Sequence, residues 1–187
     1  APMDEETEAL LAAGMKPFSS WKNQGRATPA AALETLLWAG MTPDYDALAR
    51  MIAFDERGKA KLDAWFLTLT PDLRARFGTA ERALAPAFAE EYIWFQRFGM
   101  AGRTARQRLA YKLVAVGEPD RGGTARLQVL FPAFSDPDRP SEVMLRRQPD
   151  GWQCARFGES MVEHFTERID PVTGELRAAP EKRVSPP

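Results

Sequence analysis

The chain has 187 residues, of which 44 % are hydrophobic, and its 25 basic and 26 acidic side chains leave a formal charge of −1. This length favours one domain, which would bury roughly 70 % of the surface of its unfolded chain. The near balance of charges argues against a general nucleic-acid binder. Cys154 is the only cysteine, so an intrachain disulfide and a CxxC metal site are both excluded. No apolar run approaches the roughly 18 residues that a membrane span requires.

The first 20 residues are predicted to be a lead-in to the main domain. Acidic side chains precede a short apolar stretch that ends at Gly14, which favours one short helix. The chain begins Ala1-Pro2 without an initiator methionine, and two explanations stay open, a removed signal peptide or anchor and a shortened chain. Trp21 opens the main domain, and we expect it to be a packed plug rather than a platform for a ligand.

Three Thr-Pro pairs mark the starts of predicted helices. At 28–29, 42–43 and 70–71, each threonine is an N-cap residue and each proline occupies the first helical position. Helices are therefore predicted over about 29–39, 43–53 and 71–77. Asp55 and Thr79 can cap two more, and Pro86 is expected to kink or interrupt the second of these. Trp38 and Trp65 lie in apolar stripes at helical spacing, so we expect both in the core.

The second half of the chain shows the period of two that is typical of strands. Four strands are predicted, over 104–116, around 127–131 and 143–145, and over 152–157. The run Gln148-Pro149-Asp150-Gly151 predicts a tight hairpin in which Gly151 has positive φ and tolerates asparagine better than valine. The predicted fold class is α+β, with N-terminal helices packed on a four-stranded antiparallel meander over residues 21–165. Residues 166–187 contain few apolar side chains and are predicted to be an extended or mobile tail.

The sequence contains little that indicates catalysis or metal binding. His164 is the only histidine, and no nucleophile elbow, P-loop or HExxH motif is present. Cys154 lies within the last predicted strand, where a buried structural thiol is expected rather than a nucleophile. We therefore predict no catalytic residue, no metal site and no cofactor.

Two groups of charged side chains are candidates for binding. Arginine forks bind carboxylates and phosphates, and the basic residues around a glycine-containing junction form a candidate anion site: Arg97, Arg103, Arg106 and Arg108. The alternative is that these side chains are solvated or paired with nearby acids. Glu90 and Glu91 could supply a carboxylate to a pocket, but adjacent glutamates on a helix usually face solvent.

The stretch from Trp21 to Ala39 resembles a known family of bacterial domains. It matches the opening W-x-N-x-G-x-A-T-P-x-x-A-x-x-T-x-x-W-A, and Gly151-Trp152-Gln153-Cys154 matches the G-x-W-x-v hairpin near the end of the family's domain. Members occur as secreted or lipid-anchored proteins, or after a membrane segment in some extracytoplasmic-function sigma factors. The resemblance covers about residues 21–157 and implies a periplasmic or membrane-tethered location. It implies no activity.

A looser resemblance is to the NTF2-like cone, in which helices pack on a curved antiparallel sheet. Two functions are therefore carried forward. The first is a non-catalytic extracytoplasmic binding or sensing module for an unknown protein or small molecule, which would show an exposed groove. The alternative is a small NTF2-like pocket enzyme that uses a carboxylate and Tyr45, Tyr92 or Tyr111, which would need an enclosed pocket and a carboxylate of perturbed pKa.

Overall fold

The structure is a computed structural model that describes residues 5–92, 109–131 and 139–178. The first range contains α1 (Glu5–Ala12), β1 (Lys16–Pro17), a 3₁₀ turn (Phe18–Ser20), α2 (Pro29–Met41), α3 (Tyr45–Ala49), β2 (Ile52–Phe54), α4 (Glu56–Thr68), α5 (Pro71–Phe77) and α6 (Ala80–Tyr92). The other ranges contain β3 (Ala110–Val116), β4 (Thr124–Leu130), β5 (Ser141–Gln148), β6 (Gly151–Phe157) and α7 (Glu159–Thr166). The predicted α+β class is confirmed. None of the helices in these ranges is both long enough and apolar enough to cross a membrane.

Within the described ranges, the sheet has six strands in the order β1-β3-β4-β5-β6-β2, so the predicted four-stranded meander is only its central part. Strands β3 to β6 are antiparallel neighbours in chain order. The prediction missed β1, which pairs antiparallel with β3, and β2, which pairs parallel with β6. These outer strands have two and three residues, too few for a period of two to be recognised.

The helix predicted over 43–53 is wrong in its second half. Helix α3 ends at Ala49, and Ile52 belongs to strand β2. Thr42 also does not cap α3, since its hydroxyl donates to the Trp38 carbonyl at the end of α2. Asp44 caps α3 by accepting from the Ala47 N–H. A short apolar run such as Ile52–Phe54 is compatible with a buried strand as well as with a helix. This run forms a strand because it pairs with β6.

The other predicted helix starts are confirmed. Thr28, Asp55 and Thr70 cap α2, α4 and α5 through their side-chain oxygens. The Thr79 hydroxyl accepts from the Arg82 N–H at the start of α6. Helix α6 continues through Pro86 without a restart.

The core lies between one face of the sheet and the helices. The inward side chains of the central strands alternate as predicted, and they share one buried cluster with side chains of α2 and α6, which includes Leu33, Leu84, Phe88, Leu127, Val129 and Leu145. Trp38 and Trp65 are only partly buried against this cluster, so the prediction that both are core residues is only partly right. Trp21 is buried, as expected for a plug, and so is Trp152.

The β5–β6 hairpin closes through a two-residue loop, with Gln148 paired opposite Gly151. Gly151 has φ of +129°, which confirms the predicted positive φ. A β-carbon on Gly151 would lie 2.7 Å from the Arg26 carbonyl oxygen. Asparagine and valine both carry a β-carbon, so either would require the Arg26 backbone to move, and the expected preference for asparagine over valine stays a prediction.

Residues 166–178 differ from the predicted extended or mobile tail. Ile169 forms an antiparallel bridge with Leu176, and the Asp170 carboxylate accepts from the N–H groups of Val172 and Thr173. An aspartate that bonds the backbone two and three residues ahead stabilises a turn. This part of the tail is therefore folded back onto the domain, while residues 179–187 lie outside the described ranges.

Candidate functional site

The predicted anion site cannot be located, because Arg97, Arg103, Arg106 and Arg108 all fall in 93–108, outside the described residues. That site stays a prediction. Among the three candidate tyrosines, the side chain of Tyr92 also lies outside the described part. Tyr45 packs under the guanidinium of Arg82, and Tyr111 is buried beside a glutamate.

The W-x-N-x-G motif folds into an opening loop, residues 21–28, that lies on helix α2. The Thr35 hydroxyl accepts from the Gln24 N–H and donates to the Gly25 carbonyl, both at 2.9 Å. The Asn23 side chain accepts from the Gly25 N–H at 2.9 Å. Trp21 closes the start of the loop by donating from its indole to the Lys16 carbonyl. The motif residues thus hold one another in place, and this explains their spacing.

Glu34 of helix α2 is the charged residue on which this loop packs, and it is only 3 % exposed. Its carboxylate accepts from Lys16, from the Lys22 N–H at 3.1 Å and from the Gln24 amide at 3.3 Å. Burial alone would raise the pKa of Glu34, but these hydrogen bonds outweigh it and lower the pKa.

Tyr111 donates to the same carboxylate at 3.3 Å. Burial raises the pKa of Tyr111 well above its usual range, and the charge of Glu34 adds to the effect. The Trp21 ring lies edge-on against the Tyr111 ring, with 5.5 Å between centroids. A carboxylate and a tyrosine do meet here, as the enzyme hypothesis required. Both, however, are held in charge states that do not exchange protons near neutral pH.

Arg26 joins the opening loop to the β5–β6 hairpin. Its guanidinium donates to the Asp150 carboxylate at 2.6 Å and to the Arg50 carbonyl at 3.0 Å. Its own carbonyl accepts from the Trp152 N–H at 2.8 Å. The hydrogen bond from Arg26 lowers the pKa of Asp150. Three segments that are distant in sequence are therefore fixed around one arginine.

An open cleft of about 220 Å³ lies at this junction, and we name it the arginine cleft. The polar residues that line it are Asn23, Arg26, Thr35, Arg50 and Asp150. The two guanidinium groups and the one carboxylate leave one net positive charge. The Arg50 side chain is exposed and makes no hydrogen bond or ion pair with any residue that the structure describes.

A second cleft of about 320 Å³ lies on the other side of Arg50, and we name it the amide cleft. Its floor is strand β2, and its polar rim consists of Lys59, Glu81, Gln148 and Gln153. The Gln153 amide donates to the Arg50 carbonyl at 2.8 Å. This carbonyl also accepts from Arg26, so the Arg50 backbone separates the two clefts. Sequence reasoning missed both clefts, because their walls come from segments about 100 residues apart.

A separate ionic cluster fixes the end of helix α6. Arg168 is 3 % exposed and donates to Glu91 at 2.6 Å and to Glu90 at 2.7 Å. His164 contacts the other oxygen of Glu91 at 2.6 Å. Glu90 and Glu91 were predicted to face solvent, and their pairing with Arg168 was not predicted. A lone arginine after a helix carries no sequence signal of burial, since charged side chains are usually exposed.

Cys154 is a structural thiol, as expected. It is buried, and burial raises the pKa of Cys154 to about 12. Its Sγ donates to the Met51 carbonyl at 2.7 Å, so the thiol helps to fasten strand β2 to β6. In the described part of the chain, no three side chains of the metal-binding types come together to hold an ion.

The described residues thus offer two polar clefts at the loop–hairpin junction and ion pairs elsewhere. The similarity of the opening loop to a bacterial domain family stays a resemblance of motif. Comparison of the chain with known protein families, with curated proteins and with solved structures finds no match.

Proposed function

We propose that the chain is a non-catalytic binding module that acts outside the cytoplasm and holds an anionic group of its ligand in the arginine cleft. The observation that carries this proposal is Arg50, which is one of the residues that line the cleft and whose exposed side chain has no partner in the described part of the chain. A guanidinium presents a planar fork that matches a carboxylate or a phosphate. Arg26 is already paired with Asp150, so it forms part of a fixed wall and leaves the positive charge of Arg50 uncompensated.

The rigidity of the cleft supports this role. The opening loop is hydrogen-bonded to Thr35 and Glu34, and the hairpin is bonded to Arg26. A preorganised site loses little conformational entropy when a ligand binds, so more of the interaction energy appears as affinity.

The enzyme alternative is less well supported by the same side chains. Glu34 would have to serve as the base and Tyr111 as the donor, but Lys16, Lys22 and Gln24 occupy the carboxylate of Glu34. An NTF2-like enzyme also needs a pocket between helices and sheet. In the described part of the chain, side chains of α2, α6 and the inner face of the sheet form one packed cluster in that space. We therefore propose an NTF2-like arrangement of helices and sheet without an NTF2-like enzyme activity.

Titration of the ¹⁵N-labelled chain with acetate and, separately, with inorganic phosphate tests the anion site. We expect saturable shifts of the Asn23, Gly25 and Arg26 amide signals and of the Arg50 side-chain Nε signal. Arg50→Gln should weaken binding at least about tenfold, which corresponds to about 1.4 kcal/mol. Arg57→Gln removes the same charge from an exposed position on α4 and should leave binding unchanged.

Two results would refute the anion site: no saturable shift with either anion, or equal binding by the parent and Arg50→Gln.

Location is tested independently by fusing alkaline phosphatase, which is active only outside the cytoplasm, to the C-terminus of the natural full-length protein. Inactive fusion protein at normal abundance would overturn the proposed location and leave the anion site standing.

A further inference from the structure

We infer that the ligand is the C-terminal end of a peptide, with its carboxylate in the arginine cleft and its last peptide bonds in the amide cleft. This inference rests on the proposed anion site and names the chemical class of the ligand. It is argued from the position of the two clefts relative to each other and from the difference in their charges.

The two clefts are neighbours, because the Arg50 carbonyl accepts from Arg26 of the first and from Gln153 of the second. Arg50 lines the arginine cleft and its neighbour Ala49 lines the amide cleft. On the opposite wall, Asp150 lines the first and Gln148 lines the second. Only Pro149 separates these two residues in the chain. In the proposed complex, a peptide whose C-terminal carboxylate pairs with Arg50 extends over the Arg50 backbone toward the amide cleft.

The charges of the two clefts differ in a way that suits a peptide terminus. In the amide cleft, Lys59 is paired with Glu81 at 2.8 Å and with Asp63 at 2.5 Å. Burial lowers the pKa of Lys59, but the bonds to these two carboxylates outweigh it and raise the pKa, so the lysine stays charged and paired. The free positive charge thus lies at Arg50 alone. An uncharged chain that ends in one carboxylate complements this pattern.

The rim of the amide cleft matches the polar groups of a peptide backbone. The Gln148 amide makes no hydrogen bond to a described residue, and glutamine offers both a donor and an acceptor, as a peptide bond requires. Ile52, Ala53 and Phe54 of strand β2 add apolar atoms to the lining of the cleft.

Isothermal titration calorimetry with four probes tests the inference: acetate, an N-acetylated tetrapeptide of alanine and leucine, the C-terminal amide of that tetrapeptide, and a uronic acid disaccharide. We expect the free-acid tetrapeptide to bind at least about tenfold tighter than acetate. Its amide should lose most of that affinity, because the amide cannot pair with Arg50. The disaccharide should bind no tighter than acetate.

Gln148→Ala should reduce tetrapeptide affinity toward that of acetate and leave acetate binding unchanged. The matched control is Gln128→Ala, on the outer face of β4, where the amide bonds to Glu142, and it should change neither affinity. If acetate binds and the tetrapeptide binds no tighter, or the amide binds as well as the acid, the peptide inference fails and the anion site stands. If the disaccharide binds tightest, the ligand is a saccharide and the inference is wrong. If no probe binds, the anion site itself is refuted.

Discussion

The carbonyl oxygen of Arg26 accepts a hydrogen bond from the N–H of Trp152 at 2.8 Å. This bond brings two backbones together beside Gly151, where a β-carbon would lie 2.7 Å from the same oxygen. The residue before Trp152 is therefore a glycine for two reasons. One is its φ of +129°, and the other is the space that Arg26 occupies.

The two reasons can be separated by alanine substitution. Gly78 also has positive φ, +78°, but a β-carbon there would meet nothing within 4 Å. We expect Gly78→Ala to lower the free energy of unfolding by about 1–3 kcal/mol, the cost of a sparsely populated backbone conformation alone. Gly151→Ala should cost at least twice as much, because the Arg26 backbone must also move. Urea denaturation measures both, and equal losses would show that the contact with Arg26 is unimportant.

Trp21 should contribute more to stability than Trp65. The Trp21 ring is buried against Phe18 and Tyr111, whereas Trp65 is only partly buried. Trp21→Ala should therefore lower the free energy of unfolding by about 3–5 kcal/mol. Trp65→Ala should lower it by about 1–2 kcal/mol, because Trp65 buries less apolar surface when the chain folds. Trp21→Phe should cost about 1 kcal/mol through the lost bond to the Lys16 carbonyl. Thermal unfolding of the three variants checks the order, and a larger loss for Trp65→Ala would reverse our assignment.

The pH dependence of stability should change when Glu91 is replaced. Burial raises the pKa of Glu91, but hydrogen bonds from His164 and Arg168 outweigh it, so the pKa lies below the ordinary value of 4.5. A carboxyl whose pKa is lowered by folding stabilises the protein above the unfolded pKa and loses that contribution as the pH falls through the folded pKa. The difference in unfolding free energy between the parent and Glu91→Gln should therefore be largest near neutral pH.

That difference should shrink as the pH falls below 4.5. Denaturation of both proteins in steps from pH 7 to pH 3 measures it. Glu118→Gln, in the exposed β3–β4 turn, is the control and should give a small difference at every pH. A Glu91→Gln difference that does not vary with pH would mean that the ion pairs do not form in solution.

Two C-terminal truncations should differ sharply. Removal of 170–187 deletes the bridge between Ile169 and Leu176 and the carbonyl of Arg177, which accepts from the Arg168 guanidinium at 3.2 Å. It also deletes the Thr173 carbonyl, which accepts from Arg76 at 3.0 Å. Removal of 179–187 deletes none of these contacts. We expect the first truncation to lower the melting temperature by several degrees and the second to lower it less. Equal melting temperatures would show that residues 170–178 do not stabilise the domain.

The parts of the fold that follow local rules were predictable from the sequence. Thr28, Asp55 and Thr70 identified helix starts because a cap depends on residues only three positions apart. Strand β2 was not predictable, because Ile52 becomes part of a strand only through pairing with β6, about 100 residues later. A three-residue strand has no periodicity of its own.

The candidate site was harder to predict than the fold. Asn23 and Thr35 were noticed only through the resemblance of residues 21–39 to a bacterial domain family, and their role in shaping a loop appears only when the loop lies on α2. The Arg50 side chain has no sequence feature that distinguishes it from other surface arginines. Its position between two clefts depends on Arg26 and Gln153 reaching the same carbonyl from two distant segments.

The pairing of β2 with β6 also sets the order in which the chain can fold during synthesis. The Cys154 N–H donates to the Met51 carbonyl, a contact 103 residues apart in sequence. A ribosome that adds about 5–20 residues per second needs about 5–20 s to cover that distance. Until then the apolar side chains of Ile52 and Phe54 have no strand to cover them, and they are available to chaperones or to other nascent chains. Contacts of such long range slow folding, so substitutions in the β5–β6 hairpin should delay maturation of the N-terminal half as well as of the hairpin itself.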